Sequence, residues 1–197
     1  MGTFMDPLAR LFGSPARLKL LRLFLFNDDK SFSVADAAFR TKTQKDAARK
    51  EVNALVTAGV VRKKSGKAGA TFTANTRFTH FGALCQFLRT STSVGDADIL
   101  AALKRGGIVK LVILSGIFTD VVESKIDVLI VGDRLDERAL DQGVHKLEAE
   151  LGRELRFAAF STEDFKYRVG VYDRLIRDVL DFPHRVLHDK LGFMESR

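Results

Sequence analysis

Lys125 and Asp127 stand one residue apart in the run Lys125-Ile126-Asp127-Val128-Leu129-Ile130-Val131-Gly132, whose apolar content predicts a β-strand. Strand side chains repeat with period two, so positions 125 and 127 would point off the same face. Two carboxylates at that spacing can hold Mg²⁺ ions and, through them, the phosphates of a nucleotide. Here the second position is a carboxylate and the first is a lysine. A cation in a ligand position repels Mg²⁺ and offers no oxygen. The same lysine can neutralise Asp127 across the strand face. Such a pair is either a surface ion pair worth under about 1 kcal/mol, or a stand-in for the metal that lets a pocket receive an anionic ligand.

The surrounding residues predict elements able to position that pair. Ile108–Leu114 is a β-rich apolar run suited to a buried strand, and Ser115-Gly116 turns the chain after it. A short helix is expected from Asp98 to Arg105 and a longer one from Arg138 to Leu151, with Leu140, Val144, Leu147 and Leu151 inward and Gly152 as its stop. Leu155–Phe160 reads as a third strand whose only charged residue is Arg156, with Glu154 just before it. Ser161-Thr162-Glu163-Asp164 opens a helix expected to run to about Leu180, and 183–187 reads as a terminal strand. Strands alternating with helices predict a small mixed α/β domain.

The stretch Leu114-Ser115-Gly116-Ile117-Phe118-Thr119-Asp120-Val121-Val122-Glu123-Ser124-Lys125-Ile126-Asp127-Val128 resembles the minimal nucleotidyltransferase domain of the DNA polymerase beta-like superfamily. That family carries a Phe-Gly-Ser turn, a loop usually bearing Arg-Gly, then Ser-Asp-Ile-Asp-Leu. Its glycine matches Gly116 and its second strand carboxylate matches Asp127. The phosphate-binding serine falls on Ile117, the loop Arg-Gly on Asp120-Val121, and the first metal carboxylate on Lys125. A third carboxylate, expected on a later strand to help activate the attacking hydroxyl, has no counterpart in Leu155–Phe160. Each missing part of a preorganised metal site removes orders of magnitude of rate. The resemblance therefore implies a non-catalytic domain, with Gly116, Lys125 and Asp127 as the residues of a possible nucleotide pocket and no metal.

The first half has a different character. Residues 1–90 contain 16 Lys+Arg against 6 Asp+Glu, while residues 91–197 contain 16 against 19, so the chain's net +7 comes from the front alone. Such asymmetry predicts a polyanion-binding front domain. Ser14 and Pro15 begin a helix running to Phe26, Ser33-Val34-Ala35-Asp36 begins a short one ending near Arg40, and Thr43-Gln44-Lys45-Asp46 begins a third ending near Ala58 with Gly59 beyond. A strand at 59–64, a turn at 65–69 and a returning strand at 70–74 follow. The order resembles the winged helix-turn-helix transcriptional regulators, as does the ending Leu55-Val56-Thr57-Ala58-Gly59-Val60-Val61. The resemblance implies double-stranded DNA as partner. Lys42, Thr43, Gln44, Lys45 and Arg49 would lie at the major groove, where Gln can pair with adenine and Arg or Lys with guanine. Arg62, Lys63, Lys64 and Lys67 in the wing suit phosphate contacts. Residues 40–67 hold nine basic residues against two acids.

Thr79–Ser91 predicts a further helix with Phe81, Leu84, Cys85 and Leu88 on one side; in multi-helix regulators a helix in this place often packs against its twin, the alternative being a linker helix packed on its own domain, and a homodimer is expected. Ser91–Asp96 is the best linker in the chain. The expected organisation is a winged helix-turn-helix domain at 1–78, a connecting helix and linker at 79–96, and a nucleotidyltransferase-like α/β domain at 97–197. Some prokaryotic proteins combining these two domains are transcriptional regulators, and the combined resemblance covers nearly the whole chain. No apolar run approaches the ~18–20 residues that span a bilayer, and the N-terminus lacks the pattern of a secretory or myristoylation signal. One cysteine, Cys85, fits a reducing cytoplasm and reads as a small core residue. His80, His145, His184 and His188 show no ligand spacing. The expectation is a cytoplasmic DNA-binding regulator whose second domain senses a ligand, binds a protein partner or assists dimerisation, with no resident cofactor beyond a possible nucleotide. The rivals are residual nucleotidyl transfer to protein or RNA, and a toxin–antitoxin-type interaction module.

Overall fold

The computed structural model describes residues 7–67, 69–91, 94–119 and 124–193. The chain is a mixed α/β protein with, among the described residues, nine α-helices and two sheets. It divides into two compact units, one of residues 1–94 with His145–Arg153, the other of 95–144 with 154–197. No helix among the described residues is long and apolar enough to cross a membrane.

The first unit begins with α1 (Pro7–Leu11) and α2 (Pro15–Leu25). Ser14 caps α2 by accepting from Arg17 N, and Pro15 costs nothing where the first N–H groups have no helical partner. α3 (Val34–Thr41) starts on the reciprocal Ser33–Asp36 box its sequence predicts. α4 (Lys45–Thr57) buries Ala48, Val52 and Leu55, and Gly59 leaves it at φ +77°. Its N-cap is Gln44, which makes no side-chain cap bond; the expected Thr43 box does not form because the Thr43 hydroxyl bonds to Thr41 Oγ1 at 2.9 Å. β1 (Val61–Gly66) and β2 (Gly69–Ala74) form an antiparallel hairpin with Gly66 opposite Gly69, so the strands reach further into the expected 65–69 turn; Ala68 lies outside the described residues. Phe32 joins the hairpin through paired backbone bonds to Phe72 and meets the Phe24 ring edge-on. α5 (Phe81–Thr90) turns Phe81, Leu84, Cys85 and Leu88 onto its own unit's core.

The second unit is a four-stranded sheet in the order β5-β4-β3-β6, with β3 at Ile108–Leu114, β4 at Val128–Asp133, β5 at Phe157–Ser161 and β6 at Arg185–Asp189. β4 and β5 are parallel and the other pairs antiparallel. β3 and β4 are buried along almost their whole length, which accounts for their uninterrupted apolar sequences. Leu111, Ile113, Leu129 and Val131 meet Phe165 of α8 (Thr162–Gly170) and Ile176, Val179 and Leu180 of α9 (Arg174–Asp181). α6 (Asp96–Leu103) begins two residues earlier than expected. It passes so close to α7 (Glu137–Leu151) that a Cβ on Gly143 would sit 2.5 Å from Ala102 O.

Two expectations require correction here. The single helix expected up to Leu180 is broken between α8 and α9. Tyr172 adopts φ +55°, and the Asp173 carboxylate accepts from Leu175 N and Ile176 N, starting a new helix in place of continuing the old one. The strand expected from Lys125 begins only at Val128, and β5 begins at Phe157 rather than Leu155.

Candidate nucleic-acid interface and the Asp127 site

The turn between α3 and α4 is built by residues that cap it and residues left over. Lys42 closes α3 in the left-handed region at φ 51°. Thr41 Oγ1 donates to Ala37 O at 2.7 Å and bonds to Thr43, which makes Thr43 a half-buried structural hydroxyl. Gln44, Lys45 and Arg49 are exposed, and Arg49 meets Asp46 in an exposed pair at 3.2 Å. Burial lowers the affinity of the Lys42 amine for its proton; Lys146 and Lys19 add to this and Glu148 opposes it. The Lys42 charge therefore stands among other charged groups of its own unit.

The hairpin separates its basic residues by face. Cross-strand partners in an antiparallel pair share a face. Val61 opposes Ala74 and Lys63 opposes Phe72; Val61, Phe72 and Ala74 are buried, so this is the inward face. Arg62 opposes Thr73 and Lys64 opposes Thr71, which gives the outward face two cations and two hydroxyls. Lys63 is exposed but belongs to the inward set, and Lys67 is exposed in the turn. Thr71 and Thr73 were not singled out from the sequence. The signal for them was the pairing of Gly66 with Gly69, which fixes the register.

Asp127 lies in the second unit, 1 % exposed, immediately before β4. Its carboxylate accepts from Ile117 N at 3.1 Å, and from Arg156 N, Nε and Nη2 at 2.8, 3.1 and 3.0 Å. Asp127 N in turn donates to Arg156 O at 2.6 Å. The two-pronged bond to Asp127 raises the proton affinity of the Arg156 guanidinium, against an opposing effect of burial. Gly116, at φ +53°, makes this possible: a Cβ there would lie 2.0 Å from Asp127 Oδ1. Behind the turn, Ser115 and Ser124 are both buried with hydroxyls 3.0 Å apart, and Ser124 Oγ donates to Ile126 O at 2.7 Å.

Lys125 does not neutralise Asp127. It lies outside β4, where strand alternation does not govern its direction, and its Nζ stands 3.0 Å from Asp178 Oδ2 of α9. The cation beside Asp127 is Arg156, brought there by the parallel register in which Val128 faces Phe157. Gly116 and Asp127 thus come together, Lys125 points to another partner, and Arg156 was missed as a ligand of Asp127. The loop positions Asp120 and Val121 lie outside the described residues.

The remaining reactive types are quiet. Cys85 is half-buried with Sγ 3.7 Å from Leu25 O, and burial, reinforced by Asp28, pushes its thiol pKa up. Burial with Lys104 and Lys190 holds the His188 pKa down. Among the described residues no group of three or more His, Cys, Asp or Glu could hold a metal ion. Comparison of the chain with protein-family models, curated proteins and solved structures returned no match.

Proposed function

We propose that the chain is a DNA-binding transcriptional regulator, with a winged helix in its first unit and a nucleotidyltransferase-like scaffold without transfer chemistry in its second. The observation that carries this reading is the pairing of an exposed Gln44-Lys45-Arg49 face at the start of α4 with a hairpin whose solvent face is Arg62, Lys64, Thr71 and Thr73. In this reading α4 enters the major groove of double-stranded DNA, where amide and guanidinium groups meet base edges. The hairpin lies on the sugar-phosphate backbone, where cations and hydroxyls fix register without reading sequence. Lys45 and Arg49 then carry sequence preference, and Arg62 and Lys64 carry general affinity. The second unit serves partner or ligand binding, or assembly, in the cytoplasm.

The Asp127 geometry supports the non-catalytic part of the proposal. Both carboxylate oxygens are engaged by Arg156 and the backbone, so a metal would have to displace a fixed guanidinium. Gel-shift titration of the purified chain against genomic fragments at rising salt tests the DNA reading. Binding is expected to weaken steeply with salt as counterions return to the phosphates; no shift at low salt rejects it. Incubation with labelled nucleotide and Mg²⁺ or Mn²⁺ tests the second part, and label transfer abolished by Asp127→Ala would establish the enzymatic rival instead.

A further inference from the structure

The four-stranded sheet has two edges of unlike chemistry. β6 carries Arg185, His188 and Asp189, with Arg185 tied to Asp96, and charged side chains are a common guard against strand addition. β5 reads Phe157-Ala158-Ala159-Phe160-Ser161, with no ionisable residue and its first four positions half-buried. Among the described residues it hydrogen-bonds as a strand only to β4.

The direction of its free backbone groups follows from its neighbour. Asp127 N and Val128 N both donate to Arg156 O, at 2.6 and 3.2 Å, so residue 156 faces β4. Alternation along the strand turns 158 and 160 the same way, and directs the N–H and C=O of Phe157 and Ala159 and the N–H of Ser161 outward; the Ser161 C=O, at the N-cap of α8, serves that helix.

We propose that β5 is a dimerisation edge, on which a second copy of this chain adds its own β5 antiparallel with Ala159 on the two-fold axis. A two-fold normal to the sheet keeps like faces on the same side, so it pairs positions of the same parity. Centred on Ala159, it sets that residue opposite its twin, Phe157 opposite the partner's Ser161, and Ala158 opposite the partner's Phe160. All three outward residues of each strand then lie opposite one another, with about four bonds in all once each Ser161 C=O is left to α8. Each phenylalanine meets a small side chain, so no ring faces a ring. Centring on any other outward residue pairs fewer of them. The edge is thus complementary to itself in backbone, side-chain size and absence of charge. The inference stands independently of the DNA-binding proposal.

Sedimentation equilibrium of the full chain at tens of micromolar is the direct test. The wild type is expected at the mass of two chains and Ala159→Pro at the mass of one. The lost N–H of Ala159 does not serve the β4 ladder, and an edge strand accepts proline in such a position; a thermal melt by circular dichroism checks the fold. A second measurement uses Ala159→Cys in a Cys85→Ala background. Hydrogen-bonded partners lie about 5.5 Å apart at Cα, within the ~4.4–6.8 Å range of a disulfide. Mild oxidation should therefore give a covalent dimer on a non-reducing gel, while Leu187→Cys on β6 should not. If Ala159→Pro fails to fold, the cross-link decides. A wild type at single-chain mass, or a dimer that neither yields to proline nor cross-links through position 159, overturns the proposal. Gel shift with a folded, monomeric Ala159→Pro chain reads DNA binding separately.

Discussion

Asp127 and Arg156 hold one another in three ways: a backbone bond at the mouth of the parallel strand pair, a bond from Arg156 N to the Asp127 carboxylate, and a two-pronged ion pair between their side chains. The acid is 1 % exposed and the arginine side chain 51 % exposed, so the pair is buried on one side only. Removing the guanidinium strands a buried carboxylate. Arg156→Ala is expected to destabilise the second unit by about 2–3 kcal/mol, below the ~3–5 kcal/mol of a fully buried pair because solvent reaches the arginine. Arg156→Lys, with no fork, should fall between wild type and alanine. Urea melts followed by circular dichroism measure both.

Gly116→Ala is expected to be among the most damaging small substitutions in the chain. The added methyl meets Asp127 Oδ1 and the residue sits at φ +53°, so strain and lost bonds act together. A loss of about 2 kcal/mol or more is expected. A melting temperature within a degree of wild type would contradict the geometry.

Lys125→Asp places a carboxylate two residues from Asp127, yet it should confer no divalent cation binding. Position 125 faces Asp178 and the Asp127 oxygens remain engaged by Arg156. Mn²⁺ titration followed by electron paramagnetic resonance should show no difference from wild type; a new site in the micromolar range would refute this account. Lys125→Ala, at a half-exposed pair, should cost under about 1 kcal/mol.

Charge reversal on the hairpin should separate its faces. Lys64→Glu is expected to weaken DNA binding uniformly across sequences and lower the salt slope by about 1 per lost phosphate contact. Lys63→Glu, on the face that includes Phe72, should do less. Arg49→Glu should change which fragments are preferred.

The Ser33–Asp36 box should give the first unit an acid-labile component. Hydrogen bonds from the Ser33 side chain and backbone, aided by Arg40, hold the Asp36 pKa below its ordinary value. A depressed carboxyl contributes stability that is present above its unfolded pKa of about 3.9 and lost as pH falls through the folded value. Melts between pH 6 and 2 should show this loss in wild type and less of it in Asp36→Ala. Ser33→Ala should cost about 1 kcal/mol at neutral pH.

The parts of this fold that could be read from sequence are those decided within a few residues. Ser14-Pro15 and Ser33–Asp36 start helices because their caps are local, and β3 and β4 show as apolar runs because both faces are covered. What escaped was decided at a distance. Lys125 answers to Asp178 on a later helix, and Asp127 to Arg156 through a parallel register that no short window contains. The break at Tyr172 escaped for a different reason: a left-handed turn is expected at glycine, and Gly170 stands two residues too early. Thr43 looked like a cap, but its hydroxyl was already committed to Thr41.

The clasp between Arg156 and Asp127 also orders the mutational routes open to this chain. While Arg156 is in place, an acid gained at position 125 is invisible to selection for metal binding, because no oxygen of Asp127 is available to share an ion. Losing Arg156 first would leave a buried acid held by backbone N–H groups alone, a cost borne before any compensating gain. Gly116 is tied into the same epistasis, because the clash of an added Cβ with Asp127 Oδ1 comes on top of a left-handed φ that disfavours any side chain there. Each single step toward a catalytic centre is therefore neutral or harmful, and the scaffold is held in its present form by the order in which changes would have to occur.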